Sequence, residues 1–88
     1  GYRELTGKLM HTADKVCDGR LMMCHEGGYD GSTVPYMGLA VLEELSGIKT
    51  DIDDPALEIF ESIGGQPLQP HQDAVIEEAE TLLTALRP

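Results

Sequence analysis

The residues best suited to chemistry lie in one stretch, His25-Glu26-Gly27-Gly28-Tyr29-Asp30-Gly31-Ser32-Thr33, which holds three glycines in nine residues and no helical or strand periodicity. Two adjacent glycines reach main-chain conformations closed to other residues and let a ligand come close to the backbone. Tyr29, next to them, presents a neutral hydroxyl that can donate one hydrogen bond. Together they suit a pocket wall, Gly27 and Gly28, with one aimed donor, Tyr29. Taken alone, the same tripeptide fits a tight turn with a surface tyrosine better.

Other residue pairs carry less. His11 and Asp14 stand three apart on a helix, and His25 precedes Glu26, so each pair could supply two metal ligands; a solvated helix face and a loop-supporting hydrogen bond account for them better. Asp51, Asp53 and Asp54 resemble half of a calcium loop but lack its glycine and distal glutamate, and Asp54 before Pro55 reads as a helix cap. His71 is assigned no chemistry. There is no GxSxG elbow, phosphate-binding glycine loop or cysteine-histidine nucleophile pattern, and Ser32, Ser46 and Ser62 have no activating base nearby in sequence. Cys17 and Cys24 are seven apart without a CxxC pair, which reads as two buried reduced thiols.

The elements that must position the loop follow from periodicity. Leu5, Leu9, Ala13, Val16 and Cys17 recur at helical spacing and predict an amphipathic helix that ends near Asp18-Gly19. Leu21-Met22-Met23-Cys24 is a short unbroken apolar run, suited to a strand covered on both faces. The glycine-rich stretch then leaves that strand's carboxyl end, the usual place for a site in an open α/β sheet. A second helix begins after Thr33 or Ser32 as cap, tolerates Pro35 in its first turn and ends at Gly47. Its apolar stripe is Val34, Met37, Val41, Leu42 and Leu45. A short helix runs from Asp54-Pro55 to Gly64. After Pro67 and Pro70, a last helix spans His71 to Leu86, with Val75, Ile76, Ala79, Leu82, Leu83 and Leu86 on one face.

The expected class is therefore α/β, ordered helix-strand-helix-helix-helix and mostly helical by residue count, in one segment over residues 1–88. A single strand leaves its N–H and C=O groups without partners, so the missing strands must come from other sequence or a second copy of the chain. The opening Gly1-Tyr2-Arg3 runs straight into helical periodicity, which reads as a chain cut from something longer.

Composition limits the partners. In 88 residues, sixteen acidic against six basic side chains give a net charge of -10, which repels phosphate backbones and anionic lipid and speaks against direct nucleic-acid binding. An apolar content of 41% and a charged content of 25% fit a folded domain rather than a disordered tail. No apolar run approaches the roughly 20 residues that span a bilayer, and no signal-peptide pattern is present, so a cytoplasmic location is expected.

The string LMMCHEGGYDGSTVPYMGLAVLEELSG resembles the closing part of the catalytic domain in class II histone deacetylases and bacterial histone-deacetylase-like amidohydrolases, a superfamily that includes the acetylpolyamine amidohydrolases. The resemblance extends from GYRELT to IEEAETLL and is most specific between Leu21 and Gly47. It implies the arginase/deacetylase-type parallel-sheet fold, with this chain as its C-terminal segment. It also implies hydrolysis of acetyl-lysine or a related acylated amine, such as an acylated polyamine, at a zinc ion. The zinc ligands and acid-base histidines lie upstream in that family and have no counterparts here. Tyr29 matches the tyrosine that donates to the substrate carbonyl, and Gly27 and Gly28 match residues lining the acyl pocket. The segment would depend on the remainder of the catalytic domain and be inactive alone. From the residues alone, the competing reading is a small acidic helical module for interaction or self-association, in which Met10, Met22, Met23 and Met37 form an adaptable apolar surface and homo-oligomers are an option.

Overall fold

The computed structural model describes residues 1–65 and 67–86. The chain divides into two units, Gly1–Leu57 and Glu58–Pro88. The elements are α1 (Tyr2–Cys17), α2 (Val34–Ser46), α3 (Leu57–Ser62), α4 (Pro70–Glu80) and α5 (Leu82–Ala85).

The expected α/β class is overturned: among the described residues there is no strand. Leu21–Cys24 has no regular structure, and after the Arg20 N–H bonds the Cys17 carbonyl, the next main-chain hydrogen bonds outside the helices start at the Asp30 carbonyl. The reason is the one that makes a lone strand costly. A ladder needs a second strand to receive its N–H and C=O groups, and these residues supply none.

The first unit is a hairpin of α1 and α2. α1 ends where Asp18 turns left-handed at φ 53°, followed by Gly19 at φ 73°, and the Gly19 N–H returns to the Ala13 carbonyl at 3.0 Å. Aspartate is one of the few residues with a side chain that tolerate this conformation. α2 ends as its sequence indicates, with Gly47 at φ 71° and its N–H bonded to the Glu43 carbonyl at 2.9 Å.

Of the apolar stripe that periodicity picks out on α1, Ala13 and Cys17 lie on the side that meets α2, while its larger members do not. On α1 the buried side chains are Thr6 and Ala13, and Arg3, Gly7, Met10 and Cys17 on the same arc are half-buried. Arg3 reaches Glu43 and Gly7 lies beside Glu44, which marks that arc as the side facing α2. Leu5 (58% exposed), Leu9 and Val16 (75%) lie roughly a quarter of a turn away and face solvent. Ala13 is the one buried apolar side chain among the described residues.

What closes the hairpin is a buried carboxylate. Glu43 accepts hydrogen bonds from the Arg3 guanidinium, from the Thr50 N–H at 2.8 Å and from the Thr50 hydroxyl. One side chain thus joins the first turn of α1, the third turn of α2 and the segment that follows. Buried carboxylates persist only when partnered in this way. Thr6, the most buried side chain, satisfies its hydroxyl on the Tyr2 carbonyl at 2.8 Å.

The second unit holds α4 and α5, which have no buried residues. Asp54 acts as the expected cap, accepting the Ala56 N–H at 2.9 Å ahead of α3. Pro70 does not break the chain but opens α4 behind a reciprocal capping pair, Gln69 and Gln72. The single last helix that periodicity predicts is interrupted at Thr81. There the Thr81 and Thr84 hydroxyls each take the carbonyl three residues back at 2.6 Å, and the Thr84 and Leu86 N–H groups bond at the same three-residue spacing. Threonine competing for its own helix's carbonyls favours such tightening. Val75, Ile76, Leu82, Leu83 and Leu86 are exposed. No helix among the described residues is long and apolar enough to cross a membrane.

Thr50, Arg3 and burial's opposing effect set the acidity of Glu43. The Thr50 hydroxyl first, then the Arg3 guanidinium and the Thr50 N–H, hold it down from 4.5 to about 2. A depressed folded value means the stabilisation is complete above about pH 4.5 and is lost as pH falls toward 2. In an acid titration followed by helical circular dichroism, Glu43→Gln is therefore expected to start less stable at pH 7 and to lose less than the native chain across that window. Parallel curves would remove the carboxylate from its central role.

Candidate functional site

The loop that carries the candidate residues is fixed at both ends and free between. Gly27 and Gly28 both take left-handed backbone conformations, φ 74° and φ 68°, which is the physical reason for glycine at each. Gly28 also packs closely: a Cβ there would lie 3.1 Å from Val34 Cγ2, in the first turn of α2. Beyond Tyr29, the Asp30 carboxylate accepts the Ser32 N–H at 2.9 Å and the Ser32 hydroxyl at 2.6 Å, and the Asp30 carbonyl accepts the Val34 N–H at 3.0 Å. Thr33 occupies the cap position of α2, yet neither it nor Ser32 makes the side-chain cap bond that its position suggests; Asp30 closes this end instead. The Ser32 hydroxyl, then the Ser32 N–H and the Thr33 hydroxyl, hold the Asp30 carboxyl below the usual carboxylate range.

A groove of about 410 Å³ opens beside the loop. One wall is the chain from Met23 through Gly28, including both candidate glycines. The other is the α2 stripe of Val34, Met37, Val41, Leu42 and Leu45, with Tyr2 contributing from α1. The apolar stripe read from the sequence is thus correctly grouped but lines an open groove instead of a closed core. The size falls within the range of small-molecule clefts, and apolar walls with a few polar groups are their usual lining.

Tyr29 is 92% exposed, and its hydroxyl makes no hydrogen bond among the described residues. It does not line the groove; it follows directly on the glycine wall that does. Gly27 and Gly28 are therefore brought to a cavity, and Tyr29 is held next to it with its side chain in solvent.

The remaining candidates do not converge. His25 and Glu26 both line the groove, while His11 lines a separate shallow depression with Arg3, Glu4, Lys8 and Glu44. Among the described residues no three His, Cys, Asp or Glu side chains are placed to hold a metal ion, so the chain's own residues do not fit the zinc that the family resemblance implies. Cys17 and Cys24 are free thiols, as expected, but not buried: Cys17 is half-buried, bonding the Arg20 carbonyl at 3.3 Å, and Cys24 is exposed on the groove. Both lie where apolar neighbours in sequence fail to enclose them. Sequence reasoning missed Asp30 and Glu43, although Asp30 two residues before Ser32 is a recognisable turn pattern.

The chain is 42% identical over 60 residues to a histone deacetylase-like amidohydrolase of Pseudomonas aeruginosa, a match that covers 68% of this chain and 16% of that protein. It is 38% identical over 48 residues to a protein of Archaeoglobus fulgidus described as a probable deacetylase, covering 53% of this chain and 13% of that one. The chain is homologous to a segment of the histone deacetylase-like amidohydrolases. It spans less than a fifth of the length of these two relatives. No protein-family model matches it.

The geometry separates two glycines in a direct comparison. Gly28→Ala places a side chain at φ 68° and against Val34, and is expected to destabilise by about 1–2 kcal/mol. Gly38→Ala, inside α2 with nothing within 4 Å of the added carbon, is expected to stabilise by about 0.5–1 kcal/mol. Chemical denaturation of the two variants reads both signs, and a neutral Gly28→Ala would mean that the loop does not need its left-handed turn.

Proposed function

We propose that this chain is part of a zinc-dependent deacetylase that hydrolyses acetyl-lysine or related acylated amines, and that it supplies Tyr29 as a catalytic donor with Gly27 and Gly28 as pocket wall. The observation that carries the reading is homology to deacetylase-like amidohydrolases combined with a glycine wall on an apolar groove immediately before Tyr29. In this reading the metal is held by residues outside this chain, and the rest of the catalytic domain completes the site. A tyrosine hydroxyl left without a protein partner suits a group whose acceptor is the substrate. As the acyl carbonyl becomes tetrahedral, its oxygen gains negative charge, and a positioned O–H stabilises that charge more than it stabilises the flat carbonyl. A cytoplasmic location belongs to the same proposal and is supported by the free thiols of Cys17 and Cys24.

A second reading, an interaction or self-association module, is favoured by the exposure of large apolar side chains, among them Met22 at 84%. Deacetylase activity and zinc content of the 88-residue chain and of the longer protein that carries it distinguish the two: only a deacetylase segment gains both when extended.

Within the longer protein, Tyr29→Phe is expected to lower kcat about 10²–10³-fold while leaving KM little changed, since the lost bond is one made in the transition state. Steady-state kinetics on an acetyl-lysine peptide measures both constants, and unchanged turnover would remove Tyr29 from the mechanism.

A further inference from the structure

Tyr29 combines a side chain in open solvent with a main chain pinned on both flanks, and the pin on its C-terminal side is Asp30, through both its carboxylate and its carbonyl. Between the Arg20 N–H and the Asp30 carbonyl, no main-chain hydrogen bond outside the helices tethers the chain among the described residues. The direction in which Tyr29 leaves the loop is therefore set by its neighbours. On one side Gly28, at φ 68°, sits against Val34. On the other, one oxygen of the Asp30 carboxylate gathers both the N–H and the hydroxyl of Ser32. Both flanks are thereby referred to the first turn of α2, because Val34 also donates its N–H to the Asp30 carbonyl.

We propose that Asp30 is a positioning residue for Tyr29: its carboxylate locks the turn Asp30-Gly31-Ser32, which the Asp30 carbonyl joins to the start of α2, and so fixes the direction of the tyrosine hydroxyl. This inference rests on the proposed catalytic role of Tyr29 and adds the residue that aims it. The rigidity of the arrangement comes from local geometry. A side-chain oxygen that bonds the N–H two residues on reproduces a main-chain turn, and the added hydroxyl bond removes the remaining freedom of the Ser32 side chain. The Asp30 carboxyl is held below the usual carboxylate range by these same groups, so it is ionised at neutral pH and accepts both bonds at full strength. Gly31 has nothing within 4 Å of where a Cβ would stand, so no side-chain packing at the turn substitutes for the carboxylate.

The consequence concerns precision more than stability. A donor worth a factor of hundreds acts only when its oxygen lies within hydrogen-bonding distance of the developing charge, and a displacement of about 1 Å removes most of that factor. Asp30 touches neither substrate nor reacting atoms in this scheme; it acts only through Tyr29. That makes the two residues non-additive, which a merely structural role would not.

The test is a double-mutant cycle in the longer protein that carries this segment, with kcat and KM measured on an acetyl-lysine peptide for Asp30→Ala, Asp30→Asn, Tyr29→Phe and the Asp30→Ala/Tyr29→Phe pair. Asp30→Ala is expected to lower kcat about 10- to 100-fold, and to lower it less than about twofold further when Tyr29 is already phenylalanine. Asp30→Asn, whose side-chain oxygen can accept the same two Ser32 bonds, is expected to stay near the native rate. Equal losses from Asp30→Ala in both backgrounds, including losses from general misfolding, overturn the proposal, as does a silent Asp30→Ala or an Asp30→Asn as damaged as alanine. A silent Tyr29→Phe overturns the proposed function itself and this inference with it, and that result is read without any Asp30 variant.

Discussion

Glu43 holds the hairpin together in a molecule with almost no core. Its carboxylate gathers Arg3 from the start of α1 and both donors of Thr50, so the first turn of α1, forty positions away, and the segment just after α2 meet at one group. In an ordinary small domain such a bond would be one contributor beside many buried apolar contacts. Here Ala13 is the one buried apolar side chain among the described residues, and the polar hub takes over the role of registering α1 against α2. The position of the groove depends on it in turn, because Tyr2 in the first turn of α1 and Leu45 in the last turn of α2 both line that groove and are brought to the same end by the pairing of Arg3 with Glu43.

The loop follows the opposite rule. It is not enclosed by packing but is set by two glycines in conformations that few other residues accept, by the close approach of Gly28 to Val34, and by the turn at Asp30. These are short-range constraints, satisfied by residues within seven positions of one another. A functional group that must wait for a ligand, or for further polypeptide, is well served by such a frame, because its geometry does not wait for the surrounding core to form.

Short-range chemistry was legible in the sequence for the same reason. The ends of α1 and α2 at Asp18-Gly19 and Gly47, the cap at Asp54 and the non-periodic loop at 25–33 all depend on the residues beside them, and each is found as read. What could not be read is what depends on distant partners. Leu21–Cys24 has the composition of a strand but no second strand to make it one. Leu5, Leu9 and Val16 have the spacing of a core face but face water, since helical periodicity identifies a stripe without saying what covers it. Pro70 looks like a break in sequence and is a helix start, a distinction that rests on the Gln69 and Gln72 side chains reaching each other's main chain. The pairing of Arg3 with Glu43 crosses forty positions, and nothing in either residue's neighbours announces it.

The placement of small and polar residues between α1 and α2 has one more consequence. Because Thr6, Gly7 and Ala13 make the seam while Leu5, Leu9 and Val16 stand a quarter turn away, the two faces of α1 are separately mutable. Substitution of the large residues alters what the helix offers to other surfaces and leaves its marriage to α2 untouched; substitution of the small ones does the reverse. A single helix so divided can drift in its external affinities under selection without first surrendering its own architecture.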